Sequence, residues 1–502
     1  MGAEDGFRQL IERRTAELRE SIPADREAAV RAIVRAQEGI PRADPAPDII
    51  TGRQVPNLGG NRALQLSLTR EGSGHTRNHA TAAWAQWFLA QCDRLAEAET
   101  VITHCETGFM QLADSGEGTF DAWITTKLSP ATWQEREGID WWAKRLESRS
   151  EPLDDPASRV AAMAYQLAWP PDAVIGGRTA REWRDILVAL IGVVQASRDQ
   201  EKVAEVVSMS ELASVVARTL DASVEDIEDA LSVFTVSEES AHWHAAVPGV
   251  AAAPLIRAGP GRIVPSWYGL TTEPLLFLTR ELRRRDPEGY HNAAHLREAA
   301  FRQDLYGLFA DKRFVTSENR LRLRQDAGHL RTDIDAAIFD RKTGTLGLFE
   351  LKSQDPFARS AAALARQREN LLYANRQISG VLDWIRRNGA DEILKRLDPR
   401  AARTFRAHKV YPFVLARYLG PVGDGTQPDP RAAWGTWPQM MRILDAHPID
   451  ARDANPIASL HSRMGNGKPP THDAAALGSR TIDLGEGRIT VHPSYAAFQT
   501  RS

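Results

Sequence analysis

Asp335, Glu350 and Lys352 are residues whose types and spacing could do chemistry together. They lie in TDIDAAIFDRKTGTLGLFELK, Thr332 to Lys352, where two acidic residues open a short apolar run. A Gly-containing turn follows, and a second apolar run ends in Glu350-Leu351-Lys352. Side chains alternate faces along a strand, so the stretch predicts a hairpin with Ile334, Ala336 and Ile338 on one face. Asp333, Asp335, Ala337 and Phe339 then share the other face. In the second strand Phe349 and Leu351 point one way, and Leu346, Leu348, Glu350 and Lys352 the other. A four-residue loop, Arg341 to Gly344, pairs Asp340 with Thr345 and sets Asp335 opposite Glu350 and Asp333 opposite Lys352. A two-residue Thr343-Gly344 turn would set Asp335 against Lys352 instead, an ordinary cross-strand ion pair. Thr-Gly is a poorer two-residue turn than Asn-Gly or Asp-Gly, which favours the longer loop.

Carboxylates paired across a sheet stand about 5 Å apart and repel. Among apolar neighbours they need a cation or a shared proton. A hard divalent ion such as Mg²⁺, or Mn²⁺, takes one or two carboxylates, keeps waters and leaves room for phosphate oxygens. A lysine two residues along can orient a water or stabilise developing charge. The triplet alone says little, since Asp340-Arg341-Lys342 is another instance. Its weight comes from standing at a strand end opposite an acidic strand start.

On these residues, region 290–420 resembles the PD-(D/E)XK nuclease superfamily, the restriction-endonuclease-like fold. The family's Asp, then (D/E)-x-K, falls on Asp335, Glu350 and Lys352, with Ile334 where the nominal motif has Pro. The resemblance implies an α/β (α+β) core, a mixed sheet flanked by helices, that hydrolyses phosphodiester bonds with Mg²⁺ or Mn²⁺. It implies DNA as the nucleic-acid partner, and a role in antiviral defence or repair. It also implies that Asp335, Glu350 and the Leu351 carbonyl hold the metal, with Glu298 on an upstream helix helping through water. Lys352 would serve the nucleophilic water. Gln367, followed by Tyr373, would approach from the helix after the hairpin, which the Asp355-Pro356 pair is suited to start. Arg320, Arg322 and Arg324 on one strand face, and Arg331, could meet phosphates, although a solvated strand face is the more frequent explanation. The alternative is an inactive nucleic-acid-binding or scaffold protein that kept the fold; the intact Asp, Glu and Lys argue against it.

The elements that must position these residues can be read along the chain. With 502 residues, several domains are expected. We expect a helical, Trp-rich N-terminal domain over 1–150 and a second helical domain over 151–250. A linker and connecting helix follow over 251–289, then the nuclease-like domain over 290–420 and an irregular extension over 421–502. The N-terminal half is thus expected to be mainly α-helical, and to be the place for any protein partner.

Hydrophobic residues make up 42% and charged residues 26%, a globular composition, and the net charge of -3 excludes a bulk nucleic-acid signature. The two cysteines, Cys92 and Cys105, exclude a disulfide framework and fit a reducing cytoplasm. The charged N-terminus does not read as a secretory signal, and the longest apolar run, Ile186 to Val194, is too short to span a bilayer. His242-Trp243-His244 reads as loop packing rather than a metal pair, and His104-Cys105 is not expected to be catalytic. No GxxxxGK[ST] loop and no G-x-S-x-G elbow occurs, so neither ATP-driven work nor serine hydrolysis is expected.

Overall fold

The computed structural model describes residues 2–39, 59–70, 79–106, 108, 110–124, 155–163, 169–200, 204–246, 251–324, 331–353, 361–417, 429–449, 454–466 and 479–492. The helix start expected at Asp355-Pro356, the tryptophans Trp133, Trp141 and Trp142, and most of the Gly39–Asn61 loop fall outside them. The architecture is mixed, with helices throughout and several sheets.

Four helices, Ala3–Glu20, Arg26–Gly39, Gly60–Leu68 and Ala82–Glu106, share one N-terminal core built on Phe7, Leu10, Val30, Leu64, Phe88 and Leu95. The helical expectation for the following stretch fails. Met110–Gly116 and Thr119–Ile124 form an antiparallel hairpin, because Gly116-Glu117-Gly118 all take positive φ and reverse the chain. Among its described residues the extension over 421–502 is not irregular either: it carries strand Ala433–Thr436, helices Trp437–Ala446 and Pro456–Asn466, and strands Arg480–Asp483 and Arg488–His492. Arg488–His492 pairs in parallel with Thr119–Ile124.

The stretch 251–289 is structural wall rather than linker. Strands Leu255–Gly259 and Arg262–Pro265 form a hairpin whose faces serve two cores. Ile256, Ala258 and Val264 join the N-terminal core, while Leu255 and Ile263 join a helical middle core with Trp183, Leu187 and Leu231. The next helix, Pro274–Arg285, divides in the same way, Phe277 to one core and Leu278 to the other. In the middle unit Ser223 caps Val224–Val233, its hydroxyl accepting from the Asp226 amide, and Ser208, not Ser210, caps Met209–Leu220.

The unit carrying the hairpin includes α1 (Pro287–Gly307), β1 (Phe314–Thr316), β2 (Leu321–Arg324), β3 (Arg331–Ile334), β4 (Ala336–Asp340), β5 (Thr345–Lys352), α2 (Ala361–Asn388), β6 (Lys409–Ala416), β7 (Ala433–Thr436), α3 (Trp437–Ala446) and α4 (Pro456–Asn466), with two short helices, Ala390–Leu397 and Ala401–Thr404, between α2 and β6. Five strands form one mixed sheet in the order β7-β6-β5-β4-β1. β4 runs antiparallel to β5 and β1, whereas β6 runs parallel to β5 and β7 parallel to β6. The parallel β5–β6 pair needs a long crossover, and α2 lies in it. One sheet face buries Ala336, Ile338, Phe349 and Leu351 against α1, α3 and α4; the other buries Ala337, Phe339, Leu346 and Leu348 against Val381 and Trp384 of α2. Among the described residues, no helix is long and apolar enough to cross a membrane.

Candidate active site

The hairpin register is the one counted from the four-residue loop: Asp340 pairs with Thr345 and Ala336 with Phe349. Three features fix it. Gly344 takes φ 63° with its N–H donating to the Asp340 carbonyl at 2.9 Å. The buried Asp340 carboxylate accepts both arms of the Arg313 guanidinium at 2.7 Å. Thr343 Oγ1 also donates to Asp340, at 2.7 Å.

One residue further on, the regular strand stops. Asp335 is a bend between β3 and β4, and β3 leaves the sheet to pair with β2, setting Ile334 opposite Leu321 and Asp333 opposite Arg322. Three expectations change as a result. The ladder ends at Ala336–Phe349, so Asp335 is not a strand partner of Glu350; Asp333 is not paired with Lys352; and Ile334 packs with Ala337 and Phe339 rather than with Ala336 and Ile338. The cause is non-local: β2 offers β3 a ladder that the hairpin alternation cannot reveal.

The bend aims Asp335 at the end of β5, where its Oδ2 accepts the Leu351 N–H at 2.9 Å. In an extended strand the N–H and C=O of one residue leave on the same edge, so the Leu351 carbonyl is on the Asp335 side. Tyr306 of α1 steadies the approach, its hydroxyl accepting the Ala337 N–H at 3.2 Å and bonding Ser317 Oγ at 2.7 Å. Glu350 is only 2% exposed. Burial, and then the neighbouring Asp335 charge, push its carboxyl up to about 8. Asp335 is also raised by burial, with Lys352 and the Leu351 amide pulling the other way.

Lys352 Nζ donates to Glu350 Oε1 at 2.6 Å and to Gln377 Oε1 at 3.0 Å. Gln377 in turn donates through Nε2 to Asp333 Oδ1 at 3.3 Å. Tyr373, one turn before Gln377 and half exposed, lies 5.6 Å from Lys352 Nζ and 5.5 Å from the Arg376 guanidinium. Glu298 of α1 pairs with Arg320, which also approaches Asp333 and Asp335.

The structure therefore brings Asp335, Glu350, Leu351 and Lys352 together and carries Glu298 to the same edge through Arg320. Gln367 lies on α2, but its side chain is outside the described residues. Gln377, ten positions on, is the glutamine that reaches Lys352. It stands one turn from Ala374 and Val381 on the buried stripe, and that spacing is the signal that would have found it. Arg320 stands one residue before β2 and meets carboxylates; the side chains of Arg324 and Arg331 are outside the described residues.

The other candidates take structural places. His242 bonds Gln65 at 2.9 Å, and His244 bonds the fully buried Glu281 at 3.0 Å while stacking on Phe277, all anchored to helix Glu238–Ala245 rather than a loop. His104 and Cys105 are neighbours on a helix, and burial pushes the Cys105 thiol up to about 12, far from a reactive thiolate. Among the described residues, no group of three or more His, Cys, Asp or Glu is spaced to hold a metal by itself. No family model matches the chain, no curated protein matches it, and no solved structure matches it.

Proposed function

We propose that the protein is a divalent-metal-dependent nuclease of the PD-(D/E)XK kind, hydrolysing phosphodiester bonds of DNA. The observation that carries this reading is the Asp335–Glu350 pair, buried at the ends of adjoining strands with Lys352 held beside it. Desolvating two neighbouring carboxylates is costly, and the raised Glu350 registers that cost. Mg²⁺ sites commonly use one or two carboxylates and fill the remainder with water and substrate phosphates, so a pair without a third acidic ligand fits such an ion. Asp335, Glu350 and the Leu351 carbonyl would hold it, and Glu298 would join through water. Bound there, the ion would supply Lewis-acid polarisation of a phosphate and a more acidic water.

The chain's own groups do the positioning. An ammonium has three N–H donors. Glu350 and Gln377 take two from Lys352 and so direct the third towards a water or a phosphate oxygen. The charge on Lys352 favours the developing negative charge of the transition state. Tyr373, half exposed and flanked by Lys352 and Arg376, offers a face on which a base can stack. Defence or repair is the setting the family resemblance suggests. A second reading, a non-catalytic scaffold, is favoured by one observation: Arg320 and Lys352 already compensate the carboxylates from within the chain.

The test is cleavage of plasmid and single-stranded DNA by the wild type and K352A, with Mg²⁺ or with EDTA. The wild type is expected to cut only with Mg²⁺, and K352A to be slower by about a hundredfold or more. Cutting that is equal in both and indifferent to EDTA would end the reading.

A further inference from the structure

The Arg320 guanidinium lies against the outer oxygen of the buried Asp335 carboxylate. It meets carboxylates from three elements: Glu298 of α1, Asp333 of β3 at 3.6 Å, and Asp335 at the bend at 3.4 Å. The two oxygens of Asp335 are divided. Oδ2 takes the Leu351 amide, and Oδ1 faces Arg320 Nε. The Arg320 side chain is 38% exposed while that of Asp335 is 6% exposed, so the guanidinium lies at the solvent edge of the buried pair. Lys352 is placed differently, gripped by Glu350 and Gln377 and set over Tyr373.

Arg320 can leave these oxygens by rotating. A long, half-exposed side chain with several rotatable bonds does so readily and regains rotamer freedom. Building on the metal-site reading above, we propose that Arg320 is a built-in competitor for the divalent ion. It covers the outer carboxylate oxygens until an ion displaces it, so that loading the site exchanges one cation for another. This explains how the fold tolerates Asp333 and Asp335 so close together before any ion binds. It also makes the apparent metal affinity the difference between two cations' claims on the same oxygens.

The test is Mn²⁺ binding to the full chain at fixed ionic strength, followed by the electron-paramagnetic signal of the free ion. Wild type, R320Q, R320K and D335N are compared. R320Q is expected to bind Mn²⁺ about tenfold or more tightly than the wild type, and D335N to lose binding. R320K keeps the charge without the fork and is expected to gain by a smaller factor; it carries the test if R320Q does not fold. Equal affinities for the wild type and both Arg320 variants, with D335N still deficient, would overturn the competitor and leave the metal site standing. Weaker binding by R320Q would show that Arg320 supports the site and would likewise overturn the proposal. Failure of every protein to bind Mn²⁺ would remove the metal site, and the competitor with it.

Discussion

A carboxyl buried in a sheet is easier to keep protonated than charged, and Glu350 shows the consequence. Its folded value of about 8 lies above the ordinary 4.5. A raised carboxyl contributes stability below its ordinary value and loses that contribution as pH climbs through the folded value. Without divalent ions the protein should therefore melt at progressively lower temperature from about pH 5 to about pH 9. E350Q keeps the shape and removes the charge, so its melting temperature should fall less over that window. Mg²⁺ should raise the wild-type melting temperature most at the alkaline end, where the carboxylate is free to bind it. Parallel wild-type and E350Q curves in thermal melts would mean that burial of Glu350 is not what sets the site's energetics.

The elements differ in how far local sequence determined them. The β4–β5 register was legible because a poor two-residue turn left the four-residue loop as the better count, and Asp340 pairs with Thr345 accordingly. The bend at Asp335 was not legible. Strand geometry alone would set Ile334 on the face of Ala336 and Ile338, and the ladder with β2 puts it with Ala337 and Phe339 instead. On α2, Leu371, Ala374, Ile378 and Val381 form the buried face, a stripe at helical spacing, and Gln377, one turn from Ala374 and Val381, reaches Lys352. The hairpin Met110–Ile124 was hidden by a Trp-rich, helix-compatible setting, although Gly116-Glu117-Gly118 marks its turn. The tail strands were equally readable in hindsight. Ile482, Leu484, Ile489 and Val491 are buried in the N-terminal core, yet the surrounding Gly, Pro and Asp made the segment read as irregular.

At the scale of the whole molecule, strands more than 350 residues apart in the sequence build one sheet. Arg488–His492 lies between Thr119–Ile124 and Arg480–Asp483, and His492 bonds Asp121 at 2.8 Å while stacking on Trp123. Arg480 reaches Glu97 on the helix behind, at 2.5 Å. Removing residues 467–502 would uncover the edge of Thr119–Ile124 and part of the apolar core beneath it. Hydrogen exchange should then show strand 119–124 losing protection while β5 keeps it. Unchanged protection at 119–124 would mean that the tail strands add nothing to that sheet. The hairpin and helix spanning 255–285 contribute side chains to both the N-terminal and the middle core.

The shared divalent ion proposed for Asp335 and Glu350 can be looked for by diffraction from crystals grown with Mn²⁺, collected at a wavelength where manganese scatters anomalously. The expected result is an anomalous peak between the two carboxylates, beside the Leu351 carbonyl, with the Arg320 guanidinium turned away from Asp335. A map with no peak there and Arg320 still spanning Glu298, Asp333 and Asp335, or with manganese held elsewhere, would contradict it.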